Sequence, residues 1–256
     1  SSAALSADNY IIECHRAGAA GGASNGDGSI TSTVSNNSVT DFSIVQYTGN
    51  GSSGATVGLG LANNPGFHIV KQNDAASTAW HIWSPGLSDN TKYLRFTSAA
   101  ESTGNSEVPW KNTAPTASVM TLGNTATWLN DSGDDFTVFT WAAVEGYSAF
   151  GSYEGNASTD GAVVNTGIKP TSLFIKNIDS TVNWSSEYTA IVSYNPVTLQ
   201  LRYNLTGGEA AVATADILSN GRKARDTGTP HNSAHTFTYG IWGTPAVNKS
   251  GTPAKA

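Results

Sequence analysis

The chain has 256 residues, a formal net charge of −6 and 12% charged residues, about half of the roughly 25% that is usual in globular proteins. This composition argues against a nucleic-acid-binding protein, whose phosphate contacts need clustered Lys and Arg. It also excludes a membrane-spanning helix, because no run approaches ~18 consecutive apolar residues. The single cysteine, Cys14, excludes an intrachain disulfide.

The first 41 residues are predicted to be an N-terminal strand followed by a linker. Ser6–Tyr10 resembles two later segments that end in Phe136 and Phe237, which makes it similar to the last strand of a truncated repeat unit. Such a strand could add to an exposed sheet edge of this chain or of a neighbour. The candidates for strand addition are Tyr10, Ile11, Ile12 and Cys14. Residues 17–41, rich in Gly, Ala, Ser and Asn, are expected to form a linker or a covering arm.

Two similar units are predicted to follow, at residues 42–146 and 147–247, with a flexible tail at 248–256. Phe42–Asn50 aligns with Ala149–Asn156, and Phe136–Trp141 aligns with Phe237–Trp242. The spacing between aligned segments changes slightly along the chain, as loop insertions would produce. The pattern therefore predicts an internal repeat.

Short runs rich in Val, Ile, Thr and aromatic residues, bounded by Gly, Asn, Pro and Asp, predict β-strands in each unit. Eight runs in the first unit are spaced as in a sandwich or jelly roll. They are Phe42–Tyr47, Thr56–Leu61, Phe67–Gln72, Trp80–Trp83, Tyr93–Thr97, Ser118–Leu122, Ala126–Leu129 and Phe136–Ala142. The predicted fold class is all-β, with two tandem antiparallel β-sandwich (jelly-roll or concanavalin-like) units and little helix.

The last of these runs is predicted to be a central strand. Side chains alternate along a strand, so Phe136 and Val138 share one face while Phe139 and Trp141 share the other. Both faces are apolar, which indicates a strand covered on both sides. The best helix candidate in the chain is Gly208–Leu218, which is short and weakly amphipathic.

Several of these segments resemble a family of tailed-phage virion proteins, common in marine phages, that carry a repeated concanavalin/LamG-like domain. The segments are Asp27–Val34, Phe42–Gly51, Ala55–Leu61, Ile69–Lys71, Asn112–Thr116, Val144–Tyr153 and Ile217–Gly221. The resemblance covers nearly everything from about residue 10 to residue 247. It implies a β-sandwich building block of a virion appendage and no defined chemistry.

Enzyme chemistry finds little support in the sequence. A glycosidase needs two carboxylates at a fixed separation, and the natural strand arrangement, Glu-x-Asp-x-x-Glu, does not occur. The pattern Gly-x-Ser-x-Gly occurs at residues 22–26, but there it belongs to a stretch rich in Gly, Ala, Ser and Asn and not to a strand-to-helix turn, so it indicates no nucleophile elbow. Cys14 and His15 would point to opposite faces of a strand, so Cys14 is predicted to be a small buried residue. We expect no catalytic residues and no cofactor.

Metal binding finds equally little support. His231 and His235 are four residues apart but have no evident third ligand. Asn25–Ser29 faintly resembles a calcium loop, but the terminal Glu of the 12-residue pattern is missing. We expect no metal site, although the sequence leaves bound calcium open.

The tryptophans divide into two groups. Four recur at equivalent positions of the two units, which predicts core packing: Trp80, Trp141, Trp184 and Trp242. Three have no clear counterpart: Trp83, Trp110 and Trp128. Since an aromatic ring offers a large contact area at a low entropy cost, these three are the candidate contacts for a glycan or a protein partner.

The function expected from these observations is that of a non-enzymatic phage virion structural protein, in an appendage, a tail fibre or the capsid surface. Its expected partners are copies of itself and other virion proteins, with no nucleic acid and no membrane insertion. The alternative is a carbohydrate-binding adhesin module that recognises host-surface glycan. A polysaccharide-degrading enzyme is the third and most distant alternative.

Overall fold

The computed structural model describes residues 11–74, 78–104, 109–123, 128–206 and 210–246, and the regular elements among them are β-strands. The strands are β1 (Ala23–Asn25), β2 (Ser32–Asn37), β3 (Phe42–Thr48), β4 (Thr56–Gly58), β5 (Pro65–Gln72), β6 (His81–Trp83), β7 (Lys92–Tyr93), β8 (Ser102–Thr103), β9 (Val119–Thr121), β10 (Asp135–Ala142), β11 (Ser148–Glu154), β12 (Val163–Asn165), β13 (Ile168–Asn177), β14 (Ser185–Tyr188), β15 (Val197–Gln200), β16 (Ala210–Leu218), β17 (Gly221–Ala224) and β18 (Thr236–Pro245). In this part of the chain, no helix is long and apolar enough to cross a membrane.

The strands form antiparallel sheets with the same core arrangement in the two halves. The first large sheet has the order β1-β2-β3-β10-β5-β6, and the second has the order β11-β18-β13-β14. A smaller sheet accompanies each: β4-β9 in the first half and β12-β17-β16-β15 in the second. The all-β, antiparallel fold class predicted from the sequence is confirmed, and its character is that of a β-sandwich.

Three apolar cores separate these sheets. The first lies between the first large sheet and β4-β9, where Val45, Val70 and Phe136 meet Val57 and Met120. The third lies between the second large sheet and its small sheet. The middle core lies between the two large sheets and draws residues from both halves. The layers therefore run small sheet, large sheet, large sheet, small sheet.

Strand β10 shows why the large sheets need cover on both faces. Phe136 and Val138 lie in the first core, whereas Trp141 lies in the middle core with Phe139 packed against it. The predicted alternation is thus confirmed. The sequence did not predict that the other half of the same chain covers the second face of this strand.

Matching contacts hold the corresponding turns of the two halves. The hydroxyl of Tyr47 donates to the carbonyl of Leu129 (2.6 Å), and that of Tyr153 donates to the carbonyl of His231 (2.7 Å). Tyr47 also stacks on Phe136, at 5.1 Å between ring centroids, as Tyr153 stacks on Phe237 at 4.9 Å. A common origin of the halves stays a prediction from the sequence, and these contacts support it.

Two sequence predictions about secondary structure are wrong. Residues 17–41 are not only a linker or arm, because β1 and β2 lie within them and β2 pairs with β3 through Val34 and Val45. The helix candidate Gly208–Leu218 contains strand β16 instead. There, Ala215 and Ile217 pair with β17 and are buried, so tertiary packing overrides the helix preference of an Ala-rich segment. The predicted tail, 248–256, lies outside the described residues.

The two halves differ in the chemistry of one inner layer. Arg222 on β17 and Glu187 on β14 form a buried bidentate ion pair, with N–O distances of 3.0 and 2.7 Å. Burial raises the pKa of Glu187, but the charge and hydrogen bonds of Arg222 outweigh burial and hold this pKa below its ordinary value. Judged by the strand pairings, Trp83 is the residue of the first half that corresponds to Glu187, and Met120 is the one that corresponds to Arg222.

Removing one partner of this pair should cost far more than removing both. We expect Arg222→Met or Glu187→Gln to lower the free energy of unfolding by about 3–5 kcal/mol, because each leaves a buried group unpaired. The double variant Glu187→Leu/Arg222→Met should lose less than either single variant. Urea unfolding at pH 7 measures all three, and a loss below about 1 kcal/mol in both single variants would contradict the expectation.

The first core contains two histidines that make no hydrogen bond through either ring nitrogen. His68 packs edge-on to Trp110, and His81 stacks on Trp128. Burial lowers the pKa of His68 to about 3. Burial, together with the charges of Arg95 and Lys71, lowers that of His81 to about 4. Both rings are therefore neutral at pH 7.

These histidines should make the protein sensitive to acid. The unfolded chain takes up protons near pH 6.5 while the folded chain does not, so stability is full above this pH and falls as the pH drops toward 4. We expect each ring to cost about 2 kcal/mol between pH 7 and pH 5. His68→Leu, which introduces the residue found at the aligned position 173, should flatten the pH profile of urea unfolding. An unchanged slope in this variant would contradict the assignment.

Candidate functional site

The middle core is the candidate functional site, because it joins the two halves and contains an apolar cavity of about 350 Å³. We call this region the aromatic seam. The apolar rings that line the cavity come from four strands of the large sheets and from the segment that follows β7. The cavity-lining apolar residues are Phe67, Ile69, Phe96, Trp141, Phe174 and Trp242.

Strand alternation brings these rings together. On β5, Phe67 and Ile69 share one face, and on β10 Trp141 occupies the matching face. The second large sheet presents Phe174 and Trp242 in the same way. Phe67 meets Phe174 across the seam with a ring-centroid separation of 4.6 Å, and such tilted pairs are favourable aromatic geometries.

Polar contacts also cross the seam. Trp184 Nε1 donates to the carbonyl of Arg95 (2.8 Å), and the amide of Glu101 donates to the carbonyl of Ile178 (2.7 Å). The hydroxyls of Ser84 and Thr238 share a further hydrogen bond. These bonds fix the register of one half against the other.

Residues 11–17, which we call the N-terminal strap, contribute Glu13 and His15 to the lining of the cavity. Within the strap, Glu13 reaches the second half: its carboxylate accepts hydrogen bonds from Ser172 Oγ (2.8 Å), Tyr203 Oη (3.2 Å) and Tyr188 Oη (3.3 Å). Burial raises the pKa of Glu13, but its hydrogen bonds, first among them that with His15, lower it by more.

His15 makes the second anchor of the strap. Its ring lies 5.1 Å from Trp242, 5.3 Å from Trp141 and 5.6 Å from Phe42, measured between centroids. Its Nε2 is 3.4 Å from a carboxylate oxygen of Glu13. One short segment therefore contacts both halves, at the line where they meet.

The strap adds to no sheet of this chain, and strand addition to a neighbour stays a prediction. Residues 11–16 form no ladder with any sheet, and the side chains of Ile11, Ile12 and Cys14 are exposed. The prediction of a small buried Cys14 is wrong, because Cys14 is exposed. Tyr10 lies outside the described residues. The anchoring residues, Glu13 and His15, were not predicted, because a segment of seven residues carries too little periodicity to identify the face that contacts the rest of the chain.

One comparison with known proteins identifies the family of the chain. A profile described as a domain of unknown function (DUF7483) matches residues 1–244. The chain belongs to the DUF7483 family. No curated protein and no solved structure matches it.

The DUF7483 fold also decides where the tryptophans lie. Trp83 and Trp110 are 6% and 1% exposed and belong to the first core, and Trp128 is partly buried against it. The interpretation of Trp83 and Trp110 as glycan or partner contacts is therefore corrected, since neither presents a ring face, whereas for Trp128 it stays a prediction. Of the four predicted core tryptophans, Trp80 is 40% exposed and the other three are buried.

Two further histidines, both in the second half, contact polar side chains. His231 Nδ1 contacts Asp226 (2.9 Å), and its Nε2 contacts the side-chain oxygen of Gln200 (2.8 Å). His235 Nδ1 contacts Asn177 and Ser233. The described residues contain no group of three or more His, Cys, Asp or Glu that could hold a metal ion.

Loss of the strap's charge should weaken the seam. We expect Glu13→Gln to lower the free energy of unfolding by about 1 kcal/mol, because charge-assisted hydrogen bonds are stronger than neutral ones and this group is partly exposed. Chemical unfolding at pH 7 and binding of a hydrophobic dye measure the effect. Ile12→Ala is the matched control, since Ile12 is 72% exposed. Equal stability of the Glu13→Gln variant and the wild type would contradict the anchoring role.

Proposed function

We propose that this DUF7483 chain is a non-enzymatic structural component of a phage virion, in an appendage, a tail fibre or the capsid surface. It works through contacts with copies of itself and with other virion proteins. The observation that carries the proposal is the aromatic seam, which fuses two β-sandwich halves into one stack tied by the strap. Such a stack is suited to bearing load, because its halves cannot separate without exposing the aromatic core.

The pairing of charged side chains within the chain supports the same proposal. Among the described residues, several of the few charged groups are engaged internally: Arg222 with Glu187, Arg225 with Asp216, and Lys223 with Asp160. Lys176 is buried, donates to two backbone carbonyls and has its pKa lowered to about 8 by burial. The surface left for partners is rich in hydroxyl and amide groups.

The virion assignment rests on the resemblance of the sequence segments given above. Several of them lie in structural positions of the DUF7483 fold: Phe42–Gly51 contains β3 and its turn, and Val144–Tyr153 contains most of β11. The two segments therefore carry equivalent strands of the two large sheets.

A second candidate function, glycan recognition by an adhesin module, is favoured by one observation. An open cleft of about 430 Å³ in the second half is lined mainly by hydroxyl and amide side chains, with the exposed ring of Tyr194 among them. This cleft is distinct from the three tryptophans singled out in the sequence.

Self-association is the first test. We expect the full chain to form oligomers in light scattering, with contacts at open sheet edges, because unpaired edges are templates for pairing. Val163 is 55% exposed on the edge strand β12, and Val163→Lys should weaken association at least tenfold. Val39 is also exposed but lies in a turn, so Val39→Lys is the matched control and should leave association unchanged.

Three outcomes would count against this proposal. A chain that stays monomeric at all concentrations would contradict self-contact. Equal effects of Val163→Lys and Val39→Lys would contradict the role of the β12 edge. Release of reducing sugar from polysaccharide would overturn the non-enzymatic assignment.

A further inference from the structure

The open cleft of the second half is built by two strands of the large sheet, one strand of the small sheet (β16) and one loop. Lys169 and Thr171 come from β13, Thr244 comes from β18, and the loop after β14 supplies residues 189–195. Val192 and Ile217 form its apolar part. The cleft lies apart from the aromatic seam and shares no lining residue with the seam cavity.

The loop that carries Tyr194 is held at both ends. The amide of Thr189 donates to the carbonyl of Thr171 (3.0 Å), and the amide of Val192 donates to that of Tyr188 (3.2 Å). Asn195 exchanges two side-chain hydrogen bonds with the backbone of Ile217, at 2.9 and 2.8 Å. The cleft is therefore preorganised, which reduces the entropy cost of binding a ligand.

Tyr194 is the exposed aromatic of this cleft. Its side chain is 64% exposed although the flanking Val192 is buried. An exposed aromatic ring beside a fixed cleft offers an apolar face at a low entropy cost. Within the described residues, the hydroxyls of Ser193, Tyr194 and Thr244 make no intramolecular hydrogen bond, so they are available to a ligand.

We propose that this cleft binds a saccharide. A sugar ring combines an apolar C–H face, which suits the Tyr194 ring, with a rim of hydroxyls that both donate and accept hydrogen bonds. The cleft offers the complementary hydroxyls of Ser193, Tyr194 and Thr244, each able to donate and accept. A volume of about 430 Å³ lies within the usual range of small-molecule sites.

This inference rests on the second candidate function and names its site and ligand class. It does not depend on the virion assignment or on self-association. Lys169 adds a positive charge to the lining, so the ligand series should include both neutral and carboxylated oligosaccharides.

The test is a glycan array with the full chain, followed by titration calorimetry with the best oligosaccharide. We expect binding that Tyr194→Ala weakens at least tenfold and that Tyr194→Phe retains within threefold, since the ring carries the stacking contact. Thr244→Val should weaken binding by a smaller factor. Trp80→Ala is the matched control, because Trp80 is an exposed aromatic of the other half, and it should bind as the wild type does.

Each outcome decides the proposal. An array without binding overturns it, and binding that survives Tyr194→Ala places the glycan elsewhere and overturns this site. Light scattering on the same variants separates the two proposed functions, because Tyr194→Ala should leave association unchanged. Loss of both binding and association would show that the substitution disrupts the fold, and Tyr194→Phe then decides the role of the ring.

Discussion

The structure depends on the aromatic seam, because each large sheet is apolar on both faces. Strand β10 shows the constraint: Phe136 and Val138 require one cover, and Trp141 requires another. A small sheet supplies the first cover in each half, and the other half supplies the second. Burial of aromatic rings is the largest favourable term available to such residues. A single half would leave Phe67, Trp141 or their counterparts in water, so the fold is stable as a pair.

Strand order and tyrosine-stacked turns are alike in the two halves, while the inner layer differs. Where the first half packs Trp83 and Met120, the second half pairs Glu187 with Arg222. A buried ion pair adds little net stability over an apolar pair, but it is costly to break. The scaffold therefore tolerates either chemistry in this layer, provided that both members change together.

The presence of a strand, and the face of the sheet on which each of its side chains lies, were predictable from the sequence because the alternation of side chains is a local signal. It located β3, β5 and β10 and assigned the two faces of β10 correctly. The prediction of exposed rings failed at Trp83 and Trp110, because lack of a repeat counterpart says nothing about burial. The strap was not predicted for a different reason: Glu13 and His15 are held by partners more than a hundred residues away, including Ser172 and Trp242, and no local pattern reports such contacts.

The seam also limits where partners can bind. Each large sheet packs against a core on both of its faces within the chain, so contacts with other molecules are left mainly to sheet edges, strand ends, the outer faces of the small sheets and the loops. Exposed apolar side chains follow this division: Val163 lies on an edge strand and Tyr194 in a loop. Since charge is scarce and partly buried in ion pairs, edges such as β12 are weakly guarded by the usual means. The same low charge that argues against nucleic-acid binding thus favours contacts made through backbone, hydroxyl and aromatic groups.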